Sequence, residues 1–391
     1  MWTRVSRLPT LAVAVAAVAI ICSASALRPA HAEIKIGFQA PLTGLAASDG
    51  HAARVAAELA IDDINASGGV LGEKLRLITY DDQAKSDQAI FTANKLIGED
   101  GVKFAVSGSY SAGGRAAAPI FQKAGIVFIS SYGVHPDITR AGDYVFRLIH
   151  LGQPQGRAGA KFVGDTLKLK RVSVVTMDND YGEATVEGFI NSAEKFGIKI
   201  LNKYTYSLQD RQFGSIVASV KRDNPEAIYA TGYFFTGGPL VAQLRAAGIT
   251  APIIASQAFD SAKFIEIAGA AANGVYIVAS LDPDSGDPKL KNFSREFQKR
   301  AGYLPVSSAG QVYSTFTLLA DAIKRAGVAD PAKVRDALAA TSNFPTLQGT
   351  LVKFSQRREI NMPLAVNVVK NGKFTFHSWI DDLQLLASPD K

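Results

Sequence analysis

The chain has 391 residues, a formal net charge of +7, 47% hydrophobic residues and a single cysteine, Cys22. One cysteine excludes a structural disulfide, and its loss with a leader would also exclude thiolate metal sites and a cysteine nucleophile. No Lys/Arg run is long enough to track a polyanion, so nucleic acid is not an expected partner.

In chain order, the first feature is an export signal. Arg4 and Arg7 precede an apolar run, Leu11 to Ile21, and Ala30-His31-Ala32 offers a small-x-small cleavage site before Glu33. An uncleaved membrane anchor and a lipoprotein acylated at Cys22 are the alternatives. Ile20-Ile21 is bulky where acylation wants small residues, which favours simple cleavage near Ala32-Glu33. Removing residues 1–32 takes away Arg4, Arg7 and Arg28, lowering the charge from +7 to +4 and the length from 391 to 359. That length exceeds the range of single cores, so two lobes are expected.

From Glu33 onward, short β-branched apolar runs alternate with amphipathic ones. Strands are predicted at 34–38, 75–80, 103–107, 126–130, 172–177, 199–204, 227–230, 252–255 and 274–278. Helices between them are predicted at 52–66, 87–98, 112–124, 155–167, 181–196, 213–222, 239–247 and 261–268. Continuous apolar strands separated by helices imply parallel sheets covered on both faces, an α/β fold. The alternation pauses at Tyr144–Gly152 and again at the turn-rich Asp282-Pro283-Asp284-Ser285-Gly286-Asp287-Pro288. Helices follow at 290–301, 308–326 and 331–340, then strands between Leu347 and Phe376 with a hairpin turn at Asn371-Gly372.

Two strand ends carry candidate binding chemistry. The strand 103–107 runs into Gly108-Ser109-Tyr110-Ser111-Ala112-Gly113-Gly114, and the strand 126–130 into Ser131-Tyr132-Gly133-Val134. Small residues there admit a ligand to the backbone, and helix N-termini supply N–H donors for an acid group. Glycines that merely turn the chain would look the same.

Several stretches together resemble the leucine/isoleucine/valine-binding family of periplasmic proteins. They are Ile34-Lys35-Ile36-Gly37, Pro41-Leu42-Thr43-Gly44, Ala60-Ile61-Asp62-Asp63-Ile64-Asn65, Gly68-Gly69, Tyr80-Asp81-Asp82, Phe146-Arg147, Asp180-Tyr181-Gly182 and Leu244-Arg245-Ala246-Ala247-Gly248. The resemblance spans essentially the whole chain after the leader. It implies a type I periplasmic binding protein: two Rossmann-like lobes with parallel sheets, joined by three hinge crossovers. Lobe one would comprise 33–151 plus 282–358 and lobe two 152–281 plus 359–391, with Phe146-Arg147 and the segment near Asp282 as crossovers. The implied role is capture of a small ligand for the permease subunits of an ABC importer, by a monomer without a cofactor.

By the same resemblance, Ser111 takes a ligand carboxylate with its hydroxyl and N–H, and Val134 stands where a threonine does likewise. The Tyr132 carbonyl takes an ammonium, Tyr181 and Tyr233 line the cleft, and Gln257 stands where the family has an ammonium-binding glutamate. Val134 lacks the hydroxyl and Gln257 lacks the charge. A buried ammonium needs an anion. Either Asp49 or Asp260 supplies it, although each also suits a helix cap, or the ligand is an amine-free carboxylate or amide to which Gln257 donates.

Two enzyme readings compare poorly. Ser109-Tyr110-Ser111-Ala112-Gly113 differs by one residue from a hydrolase nucleophile elbow, and His377 is the only late histidine. The first strand leads to Ala40-Pro41-Leu42-Thr43-Gly44 rather than a dinucleotide fingerprint. His51, His135, His150 and His377 lack metal-ligand spacing and are expected at the surface or in caps. Presentation of the ligand to a separate receptor stays open, although no second membrane segment occurs in the sequence.

Overall fold

A computed structural model describes residues 1–3 and 33–388. The apolar leader, Cys22 and Ala30-His31-Ala32 lie outside the described residues.

Two sheets organise the chain. The first contains β1 (Glu33–Ala40), β2 (Lys74–Asp81), β3 (Phe104–Ser107), β4 (Val127–Ser130) and β5 (Val145–Arg147), all parallel, in the order β2-β1-β3-β4-β5. The second takes β6 (Arg171–Met177), β7 (Lys199–Tyr206), β8 (Ala227–Thr231), β9 (Ile253–Ala255) and β10 (Tyr276–Ala279) as a parallel set. A small ladder of β11 (Ser342–Thr346) and β12 (Gly349–Lys353) follows, and then the hairpin β13 (Leu364–Lys370) and β14 (Lys373–Ile380). This hairpin extends the second sheet antiparallel to β10, giving β14-β13-β10-β9-β8-β6-β7. Asn371 and Gly372, with φ of 51° and 72°, form its two-residue turn, the left-handed pair that an Asn-Gly sequence accommodates.

Burial explains the strand sequences. β3, β4, β8 and β9 are wholly buried, because helices cover both faces, and they read as unbroken apolar runs. The edge strand β7 instead carries exposed Lys199, Asn202 and Lys203, which discourage further strand pairing. Two glycines are obligatory for close approach. A Cβ on Gly108 would sit 2.9 Å from both Ala53 Cβ and Phe38 Cζ, and one on Gly232 would sit 1.9 Å from the Tyr206 hydroxyl. Both follow strand ends that lead into the cleft.

Most helices lie where the periodicity places them; the helix predicted over 52–66 begins five residues earlier, at Ala47, and another start shifts for a visible reason. The helix predicted from Pro239 begins at Phe234 and runs to Ala246. Proline favours the first turn, which drew the sequence-based start too late. The Thr236 hydroxyl accepts the Tyr233 N–H at 3.2 Å and starts the helix one turn earlier.

The chain passes between the sheets three times: after β5, after β10, and between β12 and β13. Phe146-Arg147, expected as a crossover, is part of β5, so the chain leaves the first sheet only at Leu148. Arg147 is fully buried and forms an ion pair with Glu359, which is 2% exposed, Nε to Oε2 being 2.8 Å. The same guanidinium donates to the carbonyls of Gly133 and His135 (the latter at 2.5 Å), and Thr139 donates to Glu359. First and third crossings are thereby pinned to the loop after β4. His150 adds a second link, with Nε2 2.7 Å from the Met362 carbonyl. It is buried and its pKa is pushed down to about 4 by desolvation, which corrects the expectation of a surface or capping histidine.

Candidate ligand-binding site

The parallel strands of both sheets reverse direction of growth once, giving β2-β1-β3 in one and β7-β6-β8 in the other. Crevices at the carboxyl ends of strands at such switch points receive ligands, because diverging loops leave helix N-termini unpaired there. Here the two crevices face each other. Ser111 follows β3, Tyr132 and Val134 follow β4, Tyr181 follows β6, Tyr233 follows β8 and Gln257 follows β9. All six line one cavity. Asp260 lines it too, whereas Asp49 lies immediately behind the wall.

One end of the cavity is rich in donors. Ser111 opens the helix Ser111–Lys123, whose first N–H groups have no partner within the helix. Its hydroxyl oxygen accepts the Val134 N–H at 3.0 Å, tying the loops after β3 and β4 together. The Ser130 hydroxyl oxygen accepts the Gly133 N–H at 3.1 Å and holds the second loop. No nucleophile–base pair forms here. His377 lies on β14 with its ring edge-on to Phe162 and Tyr276, at centroid distances of 5.2 and 5.3 Å. The hydrolase reading therefore fails on geometry.

The wall is a run of four tyrosines that crosses from sheet to sheet. Tyr110 and Tyr233 stack at 4.0 Å and 8°, Tyr181 and Tyr233 at 5.3 Å, and Tyr110 and Tyr132 at 5.8 Å. Each such pair adds about 0.5–1.5 kcal/mol beyond area burial. The Tyr181 hydroxyl accepts the Ala258 N–H at 3.1 Å, and the Tyr110 hydroxyl donates to Asp49 Oδ2 at 2.7 Å. Burial raises the pKa of all four, so they are neutral near pH 7.

The remaining wall is rich in acceptors. Asp49 sits in the first turn of the helix Ala47–Ala66, buried and spent on Tyr110 rather than on capping that helix. Desolvation raises its pKa to about 7 against the opposing hydrogen bonds from Tyr110 and Tyr132, and nearby Asp260 raises it further. Asp260 is also buried with a raised pKa, again from desolvation. It does cap a helix, but one distant in sequence: its Oδ2 accepts the Ser307 N–H at 2.9 Å, at the start of the helix Ser307–Ala326. That bond joins an element of the second sheet's layer to a helix packed on the first.

Gln257 departs from the donor role suggested for it. Its Nε2 already donates to Gln311 Oε1 at 3.1 Å, and Gln311 Nε2 in turn donates to Ser280 Oγ at 2.9 Å. What Gln257 has left is Oε1, buried without a partner. An acceptor, not a donor, is left unpaired there.

Tyr110, Ile149, Gln155, Ala258 and Ser308 also line the cavity and were not singled out in the sequence. Tyr110 lies within the small-residue loop already identified, between Ser109 and Ser111, and that position was its signal. Ile149, Gln155 and Ser308 belong to a crossing segment and to helix starts reached only through tertiary folding. Arg115, on the helix Ser111–Lys123, bridges the sheets' layers, 2.7 Å from Asp180 and 3.3 Å from Asp137.

Against known proteins, a sequence profile of the family described as periplasmic binding protein matches residues 33–373. The leucine-, isoleucine-, valine-, threonine- and alanine-binding protein of Pseudomonas aeruginosa is 32% identical over 354 residues, covering 89% of this chain and 90% of the relative. The crystal structure of a leucine-binding protein from Thermotoga maritima superposes with a TM-score of 0.84 at 27% identity, covering 89% of this chain and 99% of that one. A branched-chain amino acid transporter substrate-binding protein from Streptococcus pneumoniae, solved with isoleucine, gives 0.83 at 26%, covering 88% and 99%. With the two-sheet architecture and the facing crevices, these matches place the chain in the periplasmic binding protein family, whose members carry ligands rather than transform them.

Proposed function

We propose that this protein captures a small apolar α-amino acid of the leucine, isoleucine and valine type and delivers it to the permease subunits of an ABC importer. The observation that carries this reading is the polarity of the cavity. Ser111 and the helix N-terminus offer donors on its lining, while Asp260 and the orphaned Gln257 Oε1, with Asp49 behind, offer acceptors. An α-amino acid carries the complementary pair, a carboxylate and an ammonium, and its side chain meets the tyrosines. The names of the relatives favour the same ligand class.

Within this proposal, lobe one is 33–151 plus 282–358 and lobe two 152–281 plus 359–391. They close about the three crossings, and water is expelled as second-lobe contacts form. The Tyr132 carbonyl serves the ammonium, and the Ser111 hydroxyl and N–H, with Val134 beside them, serve the acid. The protein acts as a monomer in the periplasm after cleavage near Ala32-Glu33, without nucleic acid or cofactor.

The tyrosine stack supports a second reading, a flat aromatic carboxylate lying against its rings. Titration calorimetry against leucine, isoleucine, valine, 4-methylpentanoate and benzoate separates the two. Tight binding of the amino acids alone is expected. Binding of benzoate with no heat from leucine would overturn the amino-acid reading.

A further inference from the structure

Two glutamines on the cavity wall are held in the same way. Gln257 gives Nε2 to Gln311 and keeps a partnerless Oε1. Gln155 is fully buried, gives Nε2 to the His150 carbonyl at 3.1 Å, and likewise has an Oε1 without a partner. The anchors of both amides, His150 and Gln311, line a second, smaller cavity that also touches Ser280 and Met362. Each amide therefore directs its donor into the layer between the crossings, while both residues also line the ligand cavity.

The backbone that carries Gln155 has little freedom to relax. A Cβ on neighbouring Gly156 would lie 2.1 Å from the Thr185 carbonyl oxygen, and one on Gly188 would lie 2.1 Å from that of Gln153. Helices Gly152–Lys161 and Asp180–Ala193 thus meet backbone to backbone. A locked helix start, a tethered Nε2 and a buried carbonyl-type oxygen without a donor describe a side chain whose partner is a ligand.

We propose that Gln155 contacts the ligand directly: its Oε1 accepts an N–H of the bound ammonium, and its Nε2 hands that contact on to the His150–Met362 link between the crossings. The inference rests on the amino-acid reading of the cavity. An ammonium has three N–H donors; besides the Tyr132 carbonyl, Gln257 Oε1 and Gln155 Oε1 offer acceptors on the same lining as the Asp260 carboxyl. The two glutamine oxygens give direction without adding a second negative charge. An amine-free carboxylate would bring only acceptors and finds no donor in Gln155 Oε1. The residue thus selects for the amine and reports its arrival to the hinge.

The test compares leucine with 4-methylpentanoate, the same skeleton without the amine, on wild-type protein and Gln155→Leu by titration calorimetry. Leucine should weaken about ten- to a hundredfold, the usual loss of a hydrogen bond to a charged group, while any 4-methylpentanoate binding is unchanged or improved. Equal weakening of both ligands would mark Gln155 as merely structural and overturn the proposal, as would unaltered leucine affinity. If Gln155→Leu melts before the ligand can be added, Gln155→Glu retains the acceptor and should raise the preference for leucine over 4-methylpentanoate; a preference that stays level or falls overturns it. A wild-type protein that binds 4-methylpentanoate but not leucine would overturn the amino-acid reading itself, an outcome distinct from the others.

Discussion

If the ligand is an amino acid, Asp49 should couple its binding to the release of a proton. It is buried behind Tyr110, its pKa is raised from 3.8 to about 7, and desolvation is the leading cause. Near pH 7 about half of the ligand-free molecules therefore carry a proton there. An arriving ammonium favours the ionised carboxylate and drives that proton off. Calorimetric titration of leucine at pH 7 should release roughly half a proton per ligand, read from enthalpies in phosphate and in Tris, whose ionisation heats differ. The ionised fraction falls from about nine-tenths at pH 8 to about one-tenth at pH 6, so affinity should drop roughly tenfold over that range. Asp49→Asn should abolish both effects. The sign for stability is opposite. A folded-state pKa above the unfolded value stabilises the ligand-free fold fully below about pH 4, and that contribution is lost as pH rises through about 7. The shift of about three units corresponds to roughly 4 kcal/mol. Buffer-independent enthalpies with a flat affinity between pH 6 and 8, or a pH dependence that survives Asp49→Asn, would refute the reasoning.

Three further outcomes are expected. Arg147→Met should destabilise the fold by about 3–5 kcal/mol in urea unfolding, because Glu359 is left buried without its cation. Ser111→Ala should weaken leucine by about 1–3 kcal/mol in calorimetry, through the lost hydroxyl contact and the loosened Val134 loop. Arg115→Ala should speed ligand dissociation in stopped-flow measurements, and the difference from wild type should shrink as salt is added, since the Arg115–Asp180 pair that bridges the two layers is partly exposed.

The elements of this fold were legible in the sequence because each obeys a local rule. Unbroken apolar runs such as Phe104-Ala105-Val106 and Val127-Phe128-Ile129 become strands buried on both faces. Asn371-Gly372 becomes a two-residue turn because only such a pair adopts two left-handed conformations cheaply. Chain order then brings Ser111, Tyr132, Val134, Tyr181, Tyr233 and Gln257 to carboxyl ends of parallel strands, a property of the strand–loop–helix unit itself. What local pattern does not contain is the direction of a side chain's hydrogen bonds. That Gln257 keeps an acceptor depends on Gln311, fifty-four residues away, and that Asp260 caps a helix depends on Ser307, forty-seven residues away. His150 reads as a surface histidine until Met362 arrives beside it, and Arg147 reads as a charge on a crossing until Glu359 buries with it. The sequence by itself determined which segments form sheets and which loops face the cleft, because periodicity and turn chemistry act over a few residues. Only the tertiary structure decided which atoms in that cleft are left without partners, because buried polar groups are satisfied by whatever distant segment packs against them.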